Sequence, residues 1–238
     1  MIKIAAVADI HVEAGGEAGI RARFAGVASK ADLLLLPGDL TATGTVEQAM
    51  ALARGLSSLG LPIAAVLGNH DFDNRAAPEI VTLLEKSGVR VLDGETAQFS
   101  IRGLAISVIG LRGFQGGFGE LAINIHSLEP EVEAWVATTQ RQVDSLERCL
   151  RESRDDYRVV MLHYSPVHDT VVGQEPEAIP WYGSSRLCEP IDRWGAGLVV
   201  HGHSHHGTRR GATPAGIPVY NVAAPLLDAP YEIIEARA

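Results

Sequence analysis

Five short apolar runs in this chain end on residues that bind metals or protons, and this pattern constrains the fold more than any other feature. The run over 2–10 carries Asp9 and is followed by His11. The run over 32–36 stops at Pro37-Gly38-Asp39, and the run over 62–67 opens onto Gly68-Asn69-His70-Asp71. Val159-Val160-Met161-Leu162 leads into His163, and Leu198-Val199-Val200 into His201, Gly202, His203, Ser204 and His205. Short continuous apolar runs bounded by Gly and Pro read as strands buried on both faces. In α/β proteins sites form at the carboxyl ends of such strands, so the pattern predicts that all five ends converge on one spot.

The stretches between the runs fit this reading. Helical periodicity over 17–29 places Ile20, Phe24, Val27 and Ala28 on one face, and 45–59 reads as a helix with Thr45 as cap and Gly60 as stop. A short helix is expected over 79–86 and a strand over 89–92. A hairpin turning at Arg102-Gly103 is expected between 99–101 and 104–111, and five glycines mark 110–119 as a loop. The longest helix is expected over 130–150, its stripe placing Trp135 in the core. Further strands are expected over 218–222 and 231–235. No linker, charge block or repeat interrupts the pattern, so one domain over 1–238 with two sheets is expected.

Charge and cysteine content narrow the function. Twenty basic against 29 acidic residues give a formal charge of −9, which argues against a binder of long nucleic acid held by phosphate neutralisation. An enzyme acting on small phosphates stays open, because bound cations supply positive charge locally. The two cysteines, Cys149 and Cys188, are too few for a disulfide scaffold and read as reduced thiols. No apolar run approaches the roughly 20 residues that span a bilayer. The first strand run begins at once and leaves no room for a signal peptide, so a cytoplasmic location is expected.

The polar blocks differ in weight. Asp9-Ile10-His11 and Gly38-Asp39 each fit ordinary turns. Gly68-Asn69-His70-Asp71, four turn-prone residues directly after a buried run, is hard to explain as packing. In Gly202-His203-Ser204-His205, imidazoles two apart project to one side of an extended segment, as metal ligands do.

Taken in order, these blocks and His163 resemble the five blocks of calcineurin-like metallophosphoesterases, over residues 9–205. The single Asp-x-His, the Gly-Asn-His-Asp and the closing Gly-His-x-His are similar to the cyclic-nucleotide phosphodiesterase branch. The phosphoprotein phosphatases carry Gly-Asp-x-x-Asp-Arg-Gly, whereas Gly38-Asp39-Leu40-Thr41-Ala42-Thr43-Gly44 lacks the second Asp and the Arg, which argues against protein phosphatase activity.

The resemblance implies a four-layer αββα sandwich, two mixed sheets flanked by helices, and a two-metal centre. It assigns Asp9, His11, Asp39 and His205 to one metal, and Asp39, Asn69, His163 and His203 to the other, with Asp39 bridging. Carboxylate, amide and imidazole donors without thiolate suit manganese, iron or zinc. The implied reaction is cleavage of a small phosphodiester by a hydroxide held between the metals. His70 would protonate the leaving group, and Asp71 would orient the His70 ring. A phosphomonoesterase or nucleotide pyrophosphatase with the same centre, and a scaffold that keeps only the fold, are the alternatives. Arg112 is a candidate contact for the substrate phosphate. Trp181 and Tyr182 either stack on a base or anchor their loop. His201 is expected beside the ligands rather than among them, and His126, His168 and His206 in solvated loops.

Overall fold

The computed structural model describes residues 1–123, 125–155 and 157–236. The apolar runs form two sheets. The first has the order β11-β1-β2-β3-β4, from β1 (Ile2–Ala6), β2 (Leu33–Pro37), β3 (Ile63–Val66), β4 (Val89–Val91) and β11 (Glu232–Ala236). Strands β1 to β4 are parallel and β11 closes the edge antiparallel. The second sheet has the order β5-β6-β7-β8-β10-β9, from β5 (Glu95–Ile101), β6 (Leu104–Leu111), β7 (Tyr157–Leu162), β8 (Leu198–His201), β9 (Arg210–Ala212) and β10 (Pro218–Asn221). Its inner strands β6, β7, β8 and β10 are parallel, with antiparallel β5 and β9 at the edges.

Strand alternation sorts the apolar residues into layers. Leu33, Leu35 and Val66 face Val108, Val159 and Met161 between the sheets. Leu34 and Leu36 turn the other way and pack under Phe24, Leu52, Ile80 and Leu84. These come from the segment that includes α1 (Glu17–Arg23), from α2 (Val46–Leu56) and from α3 (Ala77–Lys86). On the far side Val160, Leu162 and Val199 meet Val143, Leu146 and Leu150 of α4 (Pro130–Glu152) and Ile191 of α5 (Cys188–Trp194). Three apolar layers therefore lie between helices, sheet, sheet and helices, the expected αββα arrangement. Among the described residues no helix is long and apolar enough to cross a membrane.

The differences from expectation have local causes. The helix expected over 17–29 ends at Arg23, and a 3-10 turn (Val27–Ser29) follows Gly26, whose φ of 71° no right-handed helix accommodates. Trp135 is not in the core. The buried residues of α4 begin at Thr139, so its first turns lie beyond the sheet, and the Trp135 ring instead meets Phe114 and Trp181 from neighbouring loops.

Candidate metal centre

The carboxyl ends of β1, β2, β3, β7 and β8 meet at one rim of the sandwich, where backbone bonds lace their loops together. Asp9 N–H donates to Gly38 C=O (3.0 Å), and His11 N–H to Asp39 C=O (3.1 Å). Gly202 N–H donates to His163 C=O across the second sheet (3.2 Å). The tail of β1 joins the two sheets, since Ala8 N–H donates to Val222 C=O and Ala8 C=O accepts from Ala224 N–H, both at 2.9 Å. Residues far apart in sequence thus share one small volume.

Three overlapping groups result, each with its ligand atoms within 4.8 Å of one another: Asp9, His11 and His205; His11, Asp39 and His70; and Asp39, His163 and His203. The first holds three of the four residues expected for one metal, and the third three of the four expected for the other. Asp39 touches both sides, with Oδ2 at 3.9 Å from His11 Nε2 and Oδ1 at 3.4 Å from His163 Nε2. Asn69 enters the third group through its Oδ1, 3.0 Å from His163 Nε2.

The polarity of these contacts fits a cation. His163 Nδ1 donates to the Pro37 carbonyl at 3.0 Å, which leaves Nε2 as the ring nitrogen that faces the centre. Nε2 lies 3.0 Å from Asn69 Oδ1 and 3.4 Å from Asp39 Oδ1, so one nitrogen and two oxygens of three residues gather at one point, as the ligands of a metal ion do. His201 makes the opposite case. It is fully buried, donates from Nδ1 to Gly202 C=O and accepts at Nε2 from Thr170 Oγ1, both at 2.8 Å, so no ring nitrogen is left for a ligand. Burial pushes His201 down to about 4 and His203 down to about 3. Both rings are therefore neutral at neutral pH, and for His203 this is the form that ligates.

Asp9 is organised as a charged acceptor. Burial by itself would raise its carboxyl, but the hydrogen bond from His205 (Nε2 to Oδ1, 3.0 Å), the nearby His163 and the His203 N–H together bring it below the ordinary carboxylate range. The same contact with Asp9 raises His205.

The backbone is strained where these residues sit. The described non-glycine residues with positive φ are Asp9 (56°), His11 (41°), Asp39 (49°), His203 (67°), Arg75 and Arg102, and the first four belong to the expected ligand sets. Such conformations cost about 1–3 kcal/mol each and persist where the surroundings over-determine them. Two motif glycines are required by close approach. A Cβ on Gly68 would lie 2.1 Å from Asp39 Oδ1, and one on Gly202 would lie 2.4 Å from Asp9 Oδ2.

The expected pairing of Asp71 with the His70 ring is corrected by the structure. Asp71 is fully buried, and its carboxylate accepts from Leu40 N–H (3.1 Å), Thr41 N–H (2.8 Å), Thr41 Oγ1 (2.6 Å) and Gly68 N–H (2.8 Å). It is a brace between the loops after β2 and β3. Burial pushes its carboxyl up, against the pull of the Thr41 and Gly68 donors. The carboxylate beside His70 is Asp73, with Oδ2 3.2 Å from Nδ1, while His70 Nε2 faces Asp39 Oδ2 at 3.9 Å. The sequence reading missed Asp73; its signal was a second carboxylate three residues after His70, on the turn formed by the 3-10 helix His70–Phe72.

The outer contacts form a rim. Arg112 stacks its guanidinium over the Phe72 ring, 4.3 Å from the centroid, and its carbonyl accepts the His163 N–H at 2.9 Å. Trp181 is exposed; its ring lies 4.7 Å from that of Trp135, and its carbonyl accepts from His203 Nε2 at 3.3 Å. Tyr182 packs on Phe118, Val171 and Ile179 with its ring 5.1 Å from His203, so it holds the loop against the centre. His126, His168 and His206 lie on the exposed surface, and both cysteines are buried free thiols.

An αββα sandwich thus gathers carboxylate, amide and imidazole donors at one rim, a set that suits transition-metal ions. The chain belongs to the calcineurin-like phosphoesterase family, whose model matches residues 2–207. The family consists of metal-dependent phosphoric ester hydrolases. Similar solved structures include a phosphopantetheinyl hydrolase (PptH) from Mycobacterium tuberculosis, with a TM-score of 0.71 at 14% identity over 98% of this chain and 95% of that one. The protein TT1561 of Thermus thermophilus has a TM-score of 0.61 at 19% identity over 92% and 88%. GAP50, the anchor in the inner membrane complex of Plasmodium, has 0.55 at 12% identity over 95% and 72%. At these identities the likeness is one of fold. No curated protein matches the sequence.

Proposed function

We propose that this protein hydrolyses small phosphodiesters at a two-metal centre held by Asp9, His11, Asp39, Asn69, His163, His203 and His205. The observation that carries the reading is the placement of Asp39 between the Asp9-His11-His205 group and the His163-His203 group, with His163 Nε2 turned toward the oxygens of Asp39 and Asn69. Bound there, a pair of cations supplies Lewis-acid charge for the phosphoryl oxygens and acidifies water. Manganese, iron and zinc suit the donors.

The remaining steps belong to the chain. His70 presents Nε2 toward the centre and gives a proton to the oxygen whose bond to phosphorus breaks as a water oxygen bonds to phosphorus in its place. Asp73, with Oδ2 3.2 Å from Nδ1, is the carboxylate beside the ring. Asp71 keeps the loop carrying His70 in register with the loop carrying Asp39. Arg112 offers guanidinium donors to a non-bridging phosphate oxygen. Two substituents suit the rim, since Phe72 and Arg112 stand on the His70 side and Trp181 on the His203 side. A phosphomonoester would leave one of these walls unused.

The test is hydrolysis by the manganese-reconstituted protein of bis-p-nitrophenyl phosphate against p-nitrophenyl phosphate, beside cyclic nucleotides and a phosphopantetheinyl ester, the group for which PptH is named. Diester turnover above monoester turnover is the expected result. Preference for the monoester contradicts the diester assignment, and no turnover of any ester contradicts the hydrolase reading.

A further inference from the structure

Beside the candidate centre lies a cleft of about 420 Å³, within the size range of small-molecule sites. Its walls are apolar: Leu67, Phe72, Pro78, Val81 and Val91. It borders the segment that carries Asn69 and His70, because Leu67 lies two residues before Asn69 and Phe72 two residues after His70. Its charged lining is Arg75 and Arg112 against Asp93, a net positive charge. Among the described residues no carboxylate forms an ion pair with Arg112, whose guanidinium rests on a Phe72 ring that is itself 39% exposed. An exposed aromatic ring and an uncommitted guanidinium at the mouth of an apolar cleft match a ligand that is anionic at one end and apolar at the other.

We infer that this cleft receives an apolar substituent on the phosphoester, alkyl or aryl, while Arg112 contacts the phosphate; the inference rests on the phosphoesterase reading above. The substrate class is thus an amphiphilic phosphodiester rather than one with two hydrophilic arms. Selectivity arises from the methylenes that Val81, Val91 and Pro78 remove from water.

The experiment compares hydrolysis of dimethyl phosphate with that of methyl butyl phosphate on the manganese-loaded protein, and calorimetric binding of methylphosphonate with that of butylphosphonate. Three buried methylenes favour the butyl compound by roughly 10- to 60-fold in kcat/KM and in affinity. Val81→Glu, which places a carboxylate in the cleft, and Val81→Trp, which fills it, both bring these ratios close to one. Either variant alone suffices if the other fails to fold. Equal hydrolysis of the two esters by the unaltered protein, or a butyl preference that survives both substitutions, overturns the cleft assignment and leaves the phosphoesterase standing. If neither ester is hydrolysed and neither phosphonate binds, the phosphoesterase reading fails and this inference fails with it.

Discussion

His70 and Asp73 are the residues at which sequence and structure part most usefully. The motif draws the eye to Asp71, next to His70, but adjacency in sequence on a 3-10 turn points the two side chains apart. Asp71 turns inward to four donors, while Asp73, three residues on, comes round beside the ring. His70→Ala is expected to keep its metal and lose about 10²–10⁴ in turnover, the range for a positioned proton donor. Asp73→Asn loses less, and in the His70→Ala background costs nothing further. A double-mutant cycle in kcat measures this, and additive effects would separate Asp73 from His70. Asp39 and His163 were legible for a simpler reason: His163 directly follows the buried strand β7 and Asp39 comes two residues after the buried strand β2, so each falls at a carboxyl end.

At the scale of elements, what is buried was readable and what is exposed was not. Leu33 to Leu36 are buried on both faces of β2, so an unbroken apolar run marks the strand plainly. The turn at Arg102-Gly103 between β5 and β6 falls where expected, as does the Thr45 cap of α2. Strand β9, Arg210–Ala212, sits at a sheet edge with little buried surface and has no apolar pattern to find. The stripe on α4 is real but overruns the sheet, which is why Trp135 looks like core in a helical projection and lies outside it. The Thr45 cap tests the local account. Its hydroxyl accepts from Gln48 N–H and the Gln48 side chain accepts from Thr45 N–H, a reciprocal box. Thr45→Ala is expected to lower stability by about 1 kcal/mol in urea unfolding with no change in metal content; a neutral result would mean that packing alone sets the start of this helix.

For the molecule as a whole, the two sheets are the device that brings distant residues together. Asp9, Asp39 and Asn69 follow strands of the first sheet; His163 and the segment 201–205 follow strands of the second. Neither sheet alone carries either expected ligand set, so any folded state that holds the centre must have both sheets docked across their shared apolar layer. This also explains why the order of motifs along the sequence revealed the site: three parallel strands of one sheet, packed against two of the other, put all their carboxyl ends on one rim. The cleft beside Phe72 and the stacking of Arg112 were not legible, because they arise from how α3 and the loop after β6 pack around that rim rather than from any single strand end.

The central claim is that Asp39 joins two cation sites, and metal stoichiometry tests it directly. Elemental analysis of manganese-reconstituted, desalted protein is predicted to give two metal ions per chain, falling below one in Asp39→Asn with turnover lost in parallel. A chain that retains no divalent metal, or an Asp39→Asn variant that still holds two, would contradict it.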